Sequence, residues 1–265
     1  MSIIPIITSK EGASLTFANW LEAGVEKVAC YLSDLLIKPG IQLLKERPLK
    51  QYISWPGEIA LNLDGLKAND EGVIKIRSPY DGSIISTTTS EILALVISLK
   101  PEKVIIPERF CNKMNDFLEQ IPKEIFVYVS EKCLPINSKK TYGIYLRYQH
   151  QDFTEFLEVI KSYRDYSCYV SGDFDFYALE RLKEKKVSIE TDFLAKEGVQ
   201  GFVISQGNLV DLKDEAYSLD FEKIDNACQC PSCNLNFTKA YLHHLYFNTP
   251  LLCHRLLIQH NAWNL

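Results

Sequence analysis

Residues 141–191, TYGIYLRYQHQDFTEFLEVIKSYRDYSCYVSGDFDFYALERLKEKKVSIET, decide the fold class. Three short runs of β-branched and aromatic residues, YGIYL, SCYVSG and VSIET, alternate with DFTEFLEVIKSYR and DFYALERLKEKK. In the latter two, apolar residues recur every three or four positions, as on one face of a helix, whereas the former suit a pleated strand. Strand, helix and strand in succession make a βαβ crossover, and consecutive crossovers imply neighbouring parallel strands.

The alternation continues in both directions. KVACYL, EIALNL, VIKI, KVIIP, IFVYVS and GFVIS read as further strands, and LTFANWLEAG, TSEILALVISLK and FCNKMNDFLEQIP as helices. This many βα units predicts an α/β protein with a (β/α)8, TIM-like barrel near the short end of its size range. An open doubly wound sheet is the alternative. We expect a shortened barrel over residues 1–220 and a subdomain packed on it over residues 221–265. No Gly-rich phosphate loop follows any strand, so no nucleotide cofactor is expected.

A net charge of −5 gives no general basic signature, so nucleic-acid binding would need local patches. KERPLK, NSKK and RLKEKK are the candidates, although such runs are commonly solvated helix or loop faces. The opening MSIIPIITSKEGASL lacks a basic leader followed by an apolar core, and apolar runs such as EILALVISL are too short to span a bilayer. The expectation is a soluble cytoplasmic protein with no membrane partner. In that compartment thiols stay reduced, so Cys30, Cys111, Cys133 and Cys168 read as small core residues.

Cys228, Cys230 and Cys233 are different, because Cys-x-Cys-x-x-Cys puts three soft ligands on one tight turn. A histidine from a following helix would complete a closed tetrahedral site, the structural arrangement that Zn2+ favours. Four histidines compete for that place: His243, His244, His254 and His260. With four protein ligands such a site has no open position and would clamp the tail without taking part in catalysis.

CQCPSC, KAYLHHL and LLIQHN together resemble the zinc signature of the tRNA-guanine transglycosylases, in which CxCxxC is followed by an AYLHHL helix and a more distant histidine. The resemblance selects His260 as the fourth ligand, with 26 residues between it and Cys233, one more than the family pattern. Weaker matches run in the same order along the chain. DLLIKPGIQLL is similar to HLMLRPGEEL, YISWPGEIALNLDGL to FMGWDGPILTDSGGF, EGVIKIRSPYDGS to QGVTFKSHLDGS, and VSIETDFLAK to the loop FDCVLPTR. Colinearity from near residue 10 to the end carries the identification. It implies a (β/α)8 barrel with a zinc-binding subdomain and a role in queuosine or deazaguanine modification of tRNA.

Members of that family exchange a base through two carboxylates, one attacking the ribose C1′ and one moving the proton, the logic of retaining glycosyl transfer. The resemblance puts the nucleophile on Glu190, one methylene longer than the family's aspartate, with Asp192 as an alternative two positions on. It puts the general base on Asn62, an amide that cannot accept a proton near neutral pH, with Asp64 as a displaced substitute. The substrate-binding aspartate falls near Glu108, and the glycines that meet the base fall near Tyr145, whose ring would fill their space. The leading expectation is therefore an accessory or tRNA-binding homologue lacking or weak in base exchange, a pseudoenzyme that pairs as a homodimer or with a catalytic transglycosylase. The alternatives are an active transglycosylase or nucleoside-processing enzyme using Glu190 or Asp192, and a protein-binding module on a zinc-stabilised barrel.

Overall fold

The structure is a computed structural model that describes residues 2–149 and 152–264. Twelve strands are present among the described residues: β1 (Ser2–Pro5), β2 (Lys27–Tyr31), β3 (Glu58–Asn62), β4 (Val73–Arg77), β5 (Ile84–Thr88), β6 (Lys103–Ile106), β7 (Phe126–Ser130), β8 (Tyr142–Tyr148), β9 (Cys168–Gly172), β10 (Val187–Thr191), β11 (Phe202–Ser205) and β12 (Asn208–Asp211). Eight pair in parallel in the order β1-β10-β9-β8-β7-β6-β3-β2, and a parallel bridge between Ile6 and Ala29 joins the two ends. The sheet is a nearly closed (β/α)8 barrel, which rules out the open doubly wound alternative.

Strands wrapped by helices on the outside and filled on the inside are apolar on both faces, as the run Val28-Ala29-Cys30 is. Ile4, Ala29, Ala60, Ile105, Tyr128, Tyr145 and Tyr169 form the interior cluster, so small residues on β2 and β3 oppose three tyrosines on β7, β8 and β9. The larger apolar cluster lies between the strands and the surrounding helices. Those helices start where the chain supplies caps. Thr88 and Glu91 form a capping box for Thr89–Leu99, and Asp152 and Asp175 accept backbone N–H groups at the starts of Phe153–Ser162 and Phe176–Lys183.

Three sequence-based expectations fail locally. VIKI is β4, which pairs antiparallel with β5 outside the barrel, and GFVIS contains β11, paired in the same way with β12. Only residues 63–72 separate β3 from β4, too short for a crossover to a parallel neighbour. The strand that completes the barrel is instead SIIP of β1, which ends on Pro5, a residue that argues against a strand inside a sheet. Cys111 and Cys133 are not free core residues; they are joined in a disulfide, with Cα atoms 5.0 Å apart. They lie in the loops after β6 and β7, strands that are neighbours only once the barrel is built.

Beyond β10 the chain forms the β11–β12 hairpin and the helices Pro231–Asn234, Lys239–Asn248 and Pro250–Asn264. Val203, Leu212, Ile224, Leu242 and Leu257 share one apolar cluster with the three clustered cysteines. The last helix ties this unit to the barrel. Gln259 donates to the Asn19 carbonyl (3.0 Å) and the Glu22 carboxylate (2.9 Å), and Asn261 is bonded to the backbone of Phe202 and Ile204. Helix Phe193–Val199 meets it at Gly198, where an added Cβ would sit 2.7 Å from Ile258 Cγ1 and 2.9 Å from its backbone nitrogen. Gly198→Ala is therefore expected to destabilise the chain by about 1–3 kcal/mol through overpacking, read as a lower urea midpoint at unchanged slope. No helix of the described residues is long and apolar enough to cross a membrane.

Candidate functional site

The thiols of Cys228, Cys230 and Cys233 converge on one ring nitrogen. Their Sγ atoms lie 3.7, 3.3 and 3.4 Å from His260 Nδ1, and all four residues are buried. A tetrahedral ion bonded at roughly 2.3 Å to sulfur and 2.0 Å to nitrogen would set sulfur-to-nitrogen edges of about 3.5 Å, which these distances fit. His260 Nε2 faces the Ile204 carbonyl at 2.7 Å, so that nitrogen carries the proton and Nδ1 is left as the metal-facing donor. Backbone N–H groups of Cys230 and Cys233 point at Cys228 Sγ and Cys230 Sγ, and Asn264 donates to Cys228 Sγ at 3.1 Å, as suits thiolate ligands.

The competing histidines are occupied elsewhere. His243 Nδ1 bonds the Leu212 carbonyl at 2.8 Å, His244 bonds Asn248 on an exposed face, and His254 packs against Tyr246.

At the C-terminal mouth of the barrel the structure brings Asn62, Asp64, Tyr145 and Glu190 together, with Glu190 at 0 % exposure. Its Oε1 accepts from Tyr31 Oη (2.7 Å) and Asn62 Nδ2 (2.8 Å), and its Oε2 from Tyr169 Oη (2.7 Å). Burial pushes the Glu190 carboxyl above the ordinary glutamate range, against the lowering effect of those three donors. Burial, followed by the nearby Glu190 charge, also raises the phenols of Tyr31 and Tyr169, so they remain donors at neutral pH. Asn62 Oδ1 takes the Asp64 amide at 2.9 Å, and the Asp64 carboxylate pairs with Arg147 across the mouth at 2.5 Å. Tyr145 fills the interior and bonds Ser171 at 2.7 Å.

Asp192 stands outside this knot. It follows the end of β10, accepts a 2.6 Å bond from Ser9, and lines a cleft of about 430 Å3 with Tyr31, Asp34, Arg147 and Lys196. Burial pushes its carboxyl up to about 6, with the Ser9 hydrogen bond opposing. Burial likewise raises Asp34. Glu108 lies elsewhere on the rim, ion-paired with Lys132. Tyr31, Ser9, Asp34 and Arg147 escape a motif search, yet strand alternation could have found Tyr31, which shares the inward face of β2 with Ala29.

The basic stretches named above are not at this mouth. KERPLK, NSKK and RLKEKK lead into the N-terminal ends of β3, β8 and β10, at the opposite end of the barrel. Lys50 there pairs with Glu102, and Lys140 donates to the carbonyls of Ile121 and Pro122.

A parallel barrel with a carboxylate-rich mouth, clamped by a tail bearing a Cys3His metal-ligand group, defines the class. Residues 190–265 match the family described as "Queuine tRNA-ribosyltransferase". The chain is 21 % identical to a queuine tRNA-ribosyltransferase of Thermotoga petrophila, over 97 % of this chain and 82 % of that protein. Identity is also 21 % to one of Prochlorococcus marinus, over 99 % of this chain and 82 % of the relative. Against the protein of that name from Clostridium acetobutylicum identity rises to 35 %, over 26 % of this chain and 18 % of the other. The chain is thus similar to queuine tRNA-ribosyltransferases along nearly its whole length, most closely over the segment that carries the Cys3His group.

Proposed function

We propose that this chain belongs to queuosine or deazaguanine modification of tRNA, as an accessory or tRNA-binding homologue in which base exchange is weak or lost. The burial of Glu190 carries this reading. The family's nucleophile position holds a carboxylate with both oxygens already bonded, under Tyr31, Tyr169 and the Asp64–Arg147 pair, so a ribose C1′ has no approach to it. Asn62 cannot serve as a base, and Tyr145 takes the space a purine would need. The Cys3His group holds a structural Zn2+ in this reading and supplies no chemistry to the mouth. Leu219, Phe221, Phe247 and Leu251 are exposed near the metal-binding unit, which supports pairing with a catalytic relative or a second copy of this chain.

One observation favours a second reading. Asp192 reaches a cleft, and its carboxyl near pH 6 suits a proton-transfer group or nucleophile in an altered enzyme.

The test is base exchange: incubation with unmodified tRNA and radiolabelled guanine, alone and with a catalytic transglycosylase. We expect no incorporation by the protein alone and a changed rate with the partner. Incorporation by the protein alone, lost in Asp192→Asn, would favour the second reading; loss in Glu190→Gln would restore the family's nucleophile and overturn the first.

A further inference from the structure

The β4–β5 hairpin leaves the barrel directly after β3, whose last residue Asn62 bonds Glu190, so it rises from the rim of the mouth. Its two faces are chemically unlike. Ile74 and Ile76 pack inward on the main core, while Lys75 and Arg77 are exposed, opposite Ser86 and Ile84 in register.

The turn between the strands is held in one shape. Ser78 N–H donates to the Ser83 carbonyl and Gly82 N–H to the Ser78 carbonyl, while Asp81 accepts from the backbone and hydroxyl of Ser83. Gly82 sits at φ +73°, where a side chain would be strained. On this turn stands Tyr80, 68 % exposed, with Lys38 Nζ 3.3 Å above its ring centroid. Lys38 comes from the segment after β2, so the cation–π contact fixes the ring from one side and leaves the other side open.

The charges here differ from those at the centre of the mouth. Arg147, Lys196 and Lys132 are matched by Asp64, Asp173 and Glu108. Among the described residues Lys38, Lys75 and Arg77 have no carboxylate partner, and the turn's one acid, Asp81, is turned onto the Ser83 backbone and hydroxyl. An exposed ring with Lys38 above it, on the same hairpin as the exposed Lys75 and Arg77, suits a ligand that is both flat and polyanionic. An unpaired nucleotide is such a ligand, its base stacking on the ring and its phosphates meeting the cations. Duplex RNA presents phosphates but no free base face.

We propose that this hairpin is a stacking platform for single-stranded RNA, with one base on the open face of Tyr80 and the adjoining phosphates on Lys38, Lys75 and Arg77. The inference rests on the tRNA-binding reading and names the surface that would grip an unpaired loop.

The experiment measures fluorescence anisotropy of labelled unmodified tRNA, a short single-stranded RNA and a duplex of equal length. Tyr80→Ala is expected to weaken single-strand and tRNA binding by about 5–100-fold, and Tyr80→Phe to retain it. Lys75→Glu with Arg77→Glu is expected to weaken binding and flatten its salt dependence by roughly 0.7 in log–log slope for each phosphate no longer neutralised. Unchanged melting temperatures would exclude misfolding. If the parent binds tRNA and these variants bind equally well, the platform is wrong while the tRNA-binding reading stands. Equal loss for duplex and single strand would overturn stacking. A parent that binds no RNA would remove both.

Discussion

Cys230→Ser is expected to release the metal and loosen the whole tail, the largest single effect we anticipate. Cys230 is fully buried, with its Sγ 3.3 Å from His260 Nδ1 and its backbone N–H turned onto Cys228 Sγ. A serine hydroxyl is a poor ligand for a soft three-sulfur site and is shorter than the thiol it replaces. The apolar cluster around the group is small, and three of its members are the ligand cysteines themselves. Metal binding should therefore supply much of the free energy that keeps β11, β12 and the following helices folded. The parent is expected to carry about one equivalent of zinc and the variant almost none. Hydrogen exchange should rise across residues 202–264 while the barrel strands stay protected. A strong chelator should have the same effect on the parent. A metal-free parent with a protected tail would refute the assignment.

The metal group was legible in the sequence because its three cysteines lie within six positions and need no knowledge of the fold to be associated. The fourth ligand was not fixed by spacing. His243, His244 and His254 lie closer in sequence, and only the helix Pro250–Asn264, folding back over β11, brings His260 to the thiols. Seven of the eight barrel strands were legible for a related reason, since each is a short apolar run visible without knowledge of the fold. The eighth, β1, contains Pro5, which argues against a strand inside a sheet, and β4 and β11 mimic barrel strands because hairpin strands use the same β-branched residues.

The mouth was legible only as a set of positions. Asn62, Tyr145 and Glu190 could be nominated by resemblance, but their contacts depend on Tyr31 and Tyr169, which lie 159 and 21 residues from Glu190 in sequence. The Cys111–Cys133 bond has the same origin, in loops that become neighbours when β6 pairs with β7. Long-range contacts of this kind carry no local signal. Similarity to known proteins shows the same gradient: it is 35 % in a 69-residue match and 21 % when nearly the whole chain is aligned.

Glu190→Ala and Glu190→Gln should part company sharply, because the carboxylate now works as a structural acceptor. Truncation to alanine leaves Tyr31 Oη, Tyr169 Oη and Asn62 Nδ2 without their buried acceptor and opens a cavity between them. Unsatisfied buried donors and lost packing together are worth about 3–5 kcal/mol. For a chain of this size that corresponds to a melting temperature lower by roughly 10 °C. Glutamine keeps the shape, its carbonyl accepting from Tyr31 and Asn62 while Tyr169 turns its hydroxyl to accept from the amide. It also mimics the protonated acid, which fixes the sign of the pH dependence. Burial raises the Glu190 carboxyl in the folded state, so on raising the pH the unfolded chain gives up this proton first. The stability associated with Glu190 is then fully present below the unfolded value of about 4.3. It declines as pH rises from there through the raised folded value and stays at the lower level beyond. Glutamine has no such titration. The stability of the Glu190→Gln variant minus that of the parent should therefore increase as pH rises above about 4, as measured by urea unfolding at each pH. A difference that is flat with pH would show that Glu190 titrates alike in both states. Glu190→Gln as damaging as Glu190→Ala would show that the negative charge itself holds the three donors.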